Sequence, residues 1–312
     1  MEVHNRLLEV CHLKKIVLLD KDLDGAMAAI IIKQVIDPEF EIRHSRAGSL
    51  STSLQEIQLA YEHESITLWI VDMTPSYEWI RQLHRNRNWD VKIWDHHEVD
   101  PSIKQINVPW ITIKQKSDDG RSICASDLLV ESHKHKIKNT WIEQWLRWVR
   151  IYDTWHMEHA EWEQALAMEL LLKSMTFDVF VERFSQCIEP DLFDEDIEKW
   201  MNQRDHLANL IEQKTKEMTI IHVDGHKVAI VGGVEAPSLL LHELMMIAGT
   251  DVSAVYNKRS KTISLRSKRG TSIHVGKWAA QYGGGGHRHA AGMPANQKWV
   301  ASLYRNVHKK VV

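Results

Sequence analysis

Three short apolar runs in the first hundred residues each end in carboxylates, and this repetition constrains the fold more than any other feature. Lys15 to Leu19 (KIVLL) runs into DKDLDG, Thr67 to Val71 (TLWIV) into Asp72, and Val91 to Trp94 (VKIW) into Asp95, His96 and His97. Runs of this length, apolar on successive residues, read as strands buried on both faces. Between them lie helical stretches, Ala26 to Val35 after Gly25 and Tyr77 to Arg85 after Pro75, with a further strand expected over Phe40 to His44. Strand and helix alternating at this spacing predict an α/β protein with a mostly parallel sheet. In such sheets ligands gather beyond the carboxyl ends of the strands, so the acidic residues are expected to converge on one crevice.

The rest of the chain divides by pattern. From about Ser122 to Glu217 the reading is helical, with Trp141, Trp145 and Trp148 on one apolar face that burial explains better than base stacking. After the polar helix Glu195 to Glu217, strands are expected over Thr219–Val223, Lys227–Val231, Asp251–Tyr256 and Lys261–Arg266. Helices are expected near Ser238–Ile247 and Ser272–Gln281. The expected organisation is a parallel-sheet domain over 1–190, a helical connector over 191–218 and a smaller α/β domain over 219–312.

Charge follows the same division. The formal net charge is −3, yet residues 252–312 hold twelve Lys or Arg and no Asp or Glu, leaving 27 basic against 42 acidic side chains elsewhere. An acidic cation-binding part and a basic anion-binding part are expected. The three cysteines, Cys11, Cys124 and Cys187, form neither a CxxC pair nor a disulfide framework. With no apolar signal core near Glu2, His4, Arg6 and Glu9, and no membrane-length apolar run, a cytoplasmic protein that spans no membrane is expected.

In DKDLDG, an extended backbone would project Asp20, Asp22 and Asp24 to one side. Three carboxylates on one face repel unless a cation neutralises them, and oxygen-rich clusters suit Mg, Mn or Ca. An EF-hand is rejected, because its twelfth position is Ile31 instead of Glu and a strand precedes the loop. Asp153 in RIYDTW follows a helix and is weak by itself. His133, His135, His156 and His159 have no spacing partner and are expected at the surface.

Gly283 to Gly292 reads GGGGHRHAAG. Consecutive glycines free backbone N–H groups to approach a phosphate, and the small residues that follow suggest tight backbone packing instead of a linker. It is not a P-loop, since no Gly-Lys-Ser/Thr follows. Arg266, in ISLRS at a strand end, could grip a phosphate with two parallel hydrogen bonds, and His287 could donate to a phosphate or base edge.

Taken in order, DKDLDG, VDMTPS, WDHH, YDTW, ISLRS and GGGGHRHAAG resemble the DHH phosphoesterase superfamily carrying the C-terminal DHH-associated domain. SDDGRS before a helix and VRIYDTW look most like its nanoRNase B type oligoribonucleases. The resemblance implies an active site in the interdomain cleft with two divalent ions, usually manganese, with magnesium or cobalt as substitutes. Carried over by position, Asp20 and Asp22 would bind one ion, Asp24, His96 and Asp153 the other, and Asp72 would bridge them. Asp95 would orient His96, His97 would face the scissile phosphate, and Arg266, Gly284, Gly285, Gly286 and His287 would bind substrate. Short single-stranded RNA or DNA, or small nucleotides, are the implied substrates, with a homodimer left open as the assembly. In one departure, Asp20 stands where many members, the oligoribonuclease branch included, carry His; RecJ-type exonucleases also place Asp there.

The rivals that share such a metal site are a cyclic mono- or dinucleotide phosphodiesterase, a phosphatase for 3'-phosphorylated adenosine nucleotides, and a RecJ-type exonuclease. From another class comes a nucleotide- or RNA-binding module without chemistry, which the intact acidic residues disfavour.

Overall fold

A computed structural model describes residues 13–106, 108–137, 140–186, 194–233, 238–286, 288–295 and 299. The chain forms two compact units, Met1–Trp200 and Met201–Val312. No described helix is long and apolar enough to cross a membrane.

In the first unit, strands β1 (Lys14–Leu19), β2 (Glu41–His44), β3 (Ile66–Val71), β4 (Trp89–Asp95) and β5 (Ile111–Ile113) form one sheet in the order β2-β1-β3-β4-β5. Every pairing is parallel. The order reverses direction between β1 and β3, which makes the carboxyl ends of these two strands the topological switch point where open α/β sheets bind ligands. All six residues of β3 are buried, as a central strand covered on both faces requires.

Helices α1 (Leu23–Ile31), α2 (Leu50–Ala60), α3 (Tyr77–Arg85) and the single turn α4 (Pro101–Lys104) connect these strands. The start of α3 is written locally: Ser76 accepts a hydrogen bond from the Trp79 N–H, with Glu78 in the first turn and His84 and Arg85 in the last. Strand alternation then sorts the core. Ile16, Leu18, Leu68, Ile70 and Ile93 pack with Leu54 of α2 and Leu83 of α3. Val17, Leu19, Trp69, Val71 and Trp94 pack on the opposite face with α1 and the later helices.

Those helices are α5 (Ala125–His133), α6 (Thr140–Asp153), α7 (Trp162–Lys173), α8 (Phe177–Ser185) and the long α9 (Asp194–Glu217), within which the boundary between the units falls. Trp145 is fully buried, its ring 4.8 Å from that of Phe184, while Trp148 is half-buried with its N–H on Glu161. His133 departs from the surface placement expected of it. It is buried beside Trp69 and Trp94, with Nδ1 2.9 Å from the Leu129 carbonyl oxygen, because its helix faces the sheet.

The second unit holds β6 (Thr219–Val223), β7 (His226–Gly232), α10 (Ser238–Ala248), β8 (Val252–Asn257), β9 (Thr262–Ser267), α11 (Val275–Ala280), β10 (Gly285–Gly286) and β11 (Ala290–Pro294). Its sheet runs β10-β11-β9-β8-β7-β6, with only β7 and β8 parallel. The strands β5, β10 and β11 carry no sequence expectation. They are short, and Gly and Ala dominate the last two, so apolar periodicity does not mark them.

Candidate metal centre

The first acidic motif is not an extended ladder. β1 ends at Leu19, after which Asp22 caps α1, its Oδ1 accepting from the Gly25 N–H at 2.9 Å. Asp24 lies in the first turn of that helix, so the three carboxylates do not alternate along a strand. Glycine is required at position 25, where a Cβ would lie 2.1 Å from the Asp20 carbonyl oxygen. The turn thus brings the chain back over the strand end within five residues.

Asp24 is buried and aimed by α5. Its two carboxylate oxygens accept from the backbone N–H groups of Ala125 (2.6 Å) and Ser126 (3.0 Å), donors that the first turn of a helix leaves free. The Ser126 hydroxyl closes the contact on the Asp24 carbonyl at 2.8 Å. Asp127 caps the same helix through the Cys124 N–H and is gripped by Arg150 of α6, the helix whose last residue is Asp153. None of these supporting residues is singled out by the sequence, since their partners lie 101, 102 and 23 positions away.

At the end of β3, Asp72 adopts φ +66°, a left-handed conformation that Asp tolerates better than branched residues do. Its N–H donates to the Trp94 carbonyl at 2.9 Å, which holds the reversed backbone in place and carries the side chain toward the end of β4. There His96 Nε2 stands 3.2 Å from Asp72 Oδ1 and 3.3 Å from Asp153 Oδ2. His97 Nδ1 lies 3.6 Å from Asp72 Oδ1 and 2.7 Å from Asp95 Oδ1.

Two overlapping triads result, Asp72–His96–His97 and Asp24–His96–Asp153, each with its ligand atoms within 4.8 Å of one another. Asp20 and Asp22 sit at the same strand end but join neither triad; each has one carboxylate oxygen on a local backbone N–H. Asp95 supports the neighbour of its expected partner. Its oxygens accept from His97 and from the Thr74 hydroxyl, and among the described residues no bond joins it to His96. The reason is local: the turn after β4 folds the His97 N–H back onto the Asp95 carboxylate at 3.0 Å.

Burial pushes the carboxyls of Asp72 and Asp153 upward, with further repulsion from Asp22 and Asp24, and lifts Asp22 to about 6. For the imidazoles burial works the other way, yet Asp153 and Asp72 overcome it at His96, and Asp72 with Asp95 raise His97 to about 9. Carboxylates that resist ionising beside imidazoles that hold their protons describe a cluster short of positive charge. Asp72 Oδ1, His96 Nε2 and Asp153 Oδ2 are moreover buried without a hydrogen-bond partner among the described residues. Buried polar atoms are rarely left so, and three converging on one point fit divalent cations.

In the second unit, Arg266 on β9 donates from Nη2 to the Ser238 hydroxyl at 2.7 Å and from Nη1 to the Leu265 carbonyl at 3.0 Å. Gly285 and Gly286 pair with Gly292 and Ala291. Packing explains two of the glycines, because a Cβ would meet the Gly292 carbonyl at 2.2 Å from position 284 and the Ala290 carbonyl at 2.5 Å from position 286, where φ is +137°. Gly285 has open space. His287 lies outside the described residues.

The fold is shared with solved structures that include a DHH domain. The chain superposes on the pGpG-specific phosphodiesterase PggH of Vibrio cholerae with a TM-score of 0.57 at 13% identity, over 96% of this chain and 99% of that one. For the DHH domain of a member of the s1p family of ribosomal proteins the TM-score is 0.59 at 13% identity, over 96% and 86%. For RecJ of Thermus thermophilus in complex with Mn2+ it is 0.52 at 12% identity, over 95% and 52%. Oligoribonuclease NrnB of Bacillus subtilis (strain 168) is 29% identical over 301 residues, covering 91% of this chain and 74% of that protein. No family model matches the chain. The chain thus shares the fold of DHH-domain proteins and resembles in sequence a protein named an oligoribonuclease, which supports a hydrolytic enzyme of the nuclease type.

Proposed function

We propose that this protein is a manganese-dependent phosphodiesterase that degrades short oligonucleotides, RNA of a few nucleotides above all, to mononucleotides in the cytoplasm. The observation that carries the reading is the convergence of Asp72 Oδ1, His96 Nε2 and Asp153 Oδ2, buried and without hydrogen-bond partners among the described residues, at the switch point of a parallel sheet. The similarity to a protein named an oligoribonuclease supports the substrate class.

Asp24, Asp72, His96 and Asp153 would hold the cations, with Asp20 and Asp22 completing the set. Bound there, divalent cations would supply Lewis acidity toward a phosphoryl oxygen and neutralise the charge that develops on it. His97 is oriented by its own acid, since Asp95 holds Nδ1 and leaves Nε2 as the ring nitrogen able to give a proton to the leaving oxygen. Thr74 fixes the far oxygen of Asp95 at 2.5 Å and so limits rotation of the pair. Burial of the cluster excludes water and strengthens each of these interactions. In this reading residues 1–190 carry the metal site and 191–218 connect it to 219–312, where Arg266, Gly284, Gly285, Gly286 and His287 bind the substrate.

The test presents purified protein and manganese with 5'-labelled RNA and DNA of two to about ten nucleotides, alongside cyclic nucleotides and 3'-phosphoadenosine 5'-phosphate. The expected result is fastest turnover of short RNA to mononucleotides, lost on chelation. Faster hydrolysis of a cyclic nucleotide would reassign the substrate, and RNA binding without turnover in any divalent metal would make the chain a binding module.

A further inference from the structure

Beside the metal centre lies a pocket of about 370 Å³ lined by His97, Ile103, Ile106, Ile111, Ile113 and Gln115, which the chemistry above does not use. Its volume falls within the range of small-molecule sites. We propose that it is a nucleobase subsite, holding the base of the nucleotide whose phosphate lies at the Asp/His cluster; the proposal rests on the phosphodiesterase reading.

Construction of the pocket is local and firm. Ile111 and Ile113 project from the same face of β5, the edge strand of the sheet, and both remain half-buried. Opposite stands the turn of α4, capped by the Asp100 carboxylate on the Ser102 N–H (2.8 Å) and started by Pro101, with the Ile106 N–H returning to the Ile103 carbonyl at 2.9 Å. Ile106, Ile111 and Ile113 are each only half-buried around one concavity, with Ile103 buried in its wall, so the pocket presents apolar surface to a ligand.

Position selects the occupant. His97 lines the pocket and also belongs to the Asp72–His96–His97 triad, so the two sites share a wall. A phosphate at the triad therefore brings its own nucleoside to the pocket mouth. The walls match the flat apolar faces of a base, and Gln115 at the exposed rim offers both a donor and an acceptor to its edge. With no Phe, Tyr or Trp in the wall and an amide that can present either group, the site would hold purines and pyrimidines alike. That tolerance suits an enzyme that removes residues regardless of sequence.

Two readouts test this. With 13C-methyl isoleucine in the full chain supplied with diamagnetic magnesium, a nucleoside 5'-monophosphate should move the methyl resonances of Ile103, Ile106, Ile111 and Ile113 by ring-current shifts, while ribose 5-phosphate should not. Equal shifts from both ligands, or none from the nucleotide at millimolar concentration, would overturn the subsite. In manganese, Ile106→Trp should fill the pocket and raise KM for a dinucleotide about tenfold, while a dinucleotide lacking the base changes less than twofold. An equal change for both substrates counts against the proposal, and Gln115→Ala, at an exposed position, repeats the comparison should Ile106→Trp fail to fold. If no phosphodiester is hydrolysed at all, the catalytic reading fails while the methyl shifts still report on the pocket.

Discussion

Nδ1 of His97 stands 2.7 Å from Oδ1 of Asp95, and the His97 N–H donates to that same oxygen at 3.0 Å, so backbone and ring are fixed by one carboxylate. Asp95 is thereby a positioning residue for His97, with Thr74 steadying it from behind. Asp95→Asn should lower kcat by 10- to 100-fold, the usual cost of losing such an orienting partner, with KM within twofold. Steady-state kinetics on a dinucleotide decide the matter, and a raised KM at constant kcat would show that Asp95 serves binding instead.

Asp72→Asn separates charge from backbone strain. Asn accepts φ +66° as readily as Asp does, whereas Ala there would add a conformational cost of about 1–2 kcal/mol. Without metal, the variant should melt above the wild type, because one of several crowded carboxylates is gone. Manganese at about 100 times its Kd should stabilise the wild type by roughly 2.7 kcal/mol and the variant much less. An undiminished manganese-induced rise in Tm for Asp72→Asn would remove Asp72 from the metal centre.

The glycines of the second unit should divide by stability. Gly284→Ala and Gly286→Ala force a Cβ against backbone and should each destabilise this unit by about 2–3 kcal/mol. Gly285→Ala meets nothing and should stay within about 0.5 kcal/mol. Urea melts followed by the fluorescence of the buried Trp278 and Trp299 would show the contrast, and a Gly285→Ala variant as unstable as its neighbours would contradict it.

Arg266→Ala should raise KM for a short oligonucleotide more than it lowers kcat, as expected when uniform binding is removed. An unchanged KM would assign Arg266 a structural role, to which its bonds to Ser238 and Leu265 contribute.

Glu169 of α7 is a buried acid that none of the chemistry above uses. Burial, and secondarily the charge of Asp22, raise it from 4.5 to about 7 against the opposing pull of Lys173 and Tyr152. An acid whose pKa rises on folding binds its proton more tightly in the folded state. Its penalty is absent below about pH 4.5, grows toward pH 7 and is complete above it, at about 3 kcal/mol. Glu169→Gln should therefore stabilise the metal-free protein at pH 8 and hardly at pH 4.5; equal gains at both values would refute the assignment.

Much of the first unit was legible because its signals are local. Apolar runs marked β1, β3 and β4, Pro75 marked the start of α3, and the carboxylates after each strand pointed to one end of a parallel sheet. The same local reading failed where backbone geometry intervened. Asp22 and Asp24 belong to a helix start instead of an extended ladder, and Asp95 turns to His97 through a two-residue backbone contact. β10 and β11 were hidden because glycine and alanine carry no strand signature.

What the sequence determined by itself was therefore the alternation of elements, the acidic strand ends and the split between an acidic and a basic part, all consequences of periodicity, capping and charge. Only the tertiary structure decided that Asp24 rests on the start of α5, that Asp153 meets His96 and Asp72, and that four isoleucines enclose a pocket beside His97. Such contacts depend on strand order and helix packing between distant segments, and no local pattern encodes them.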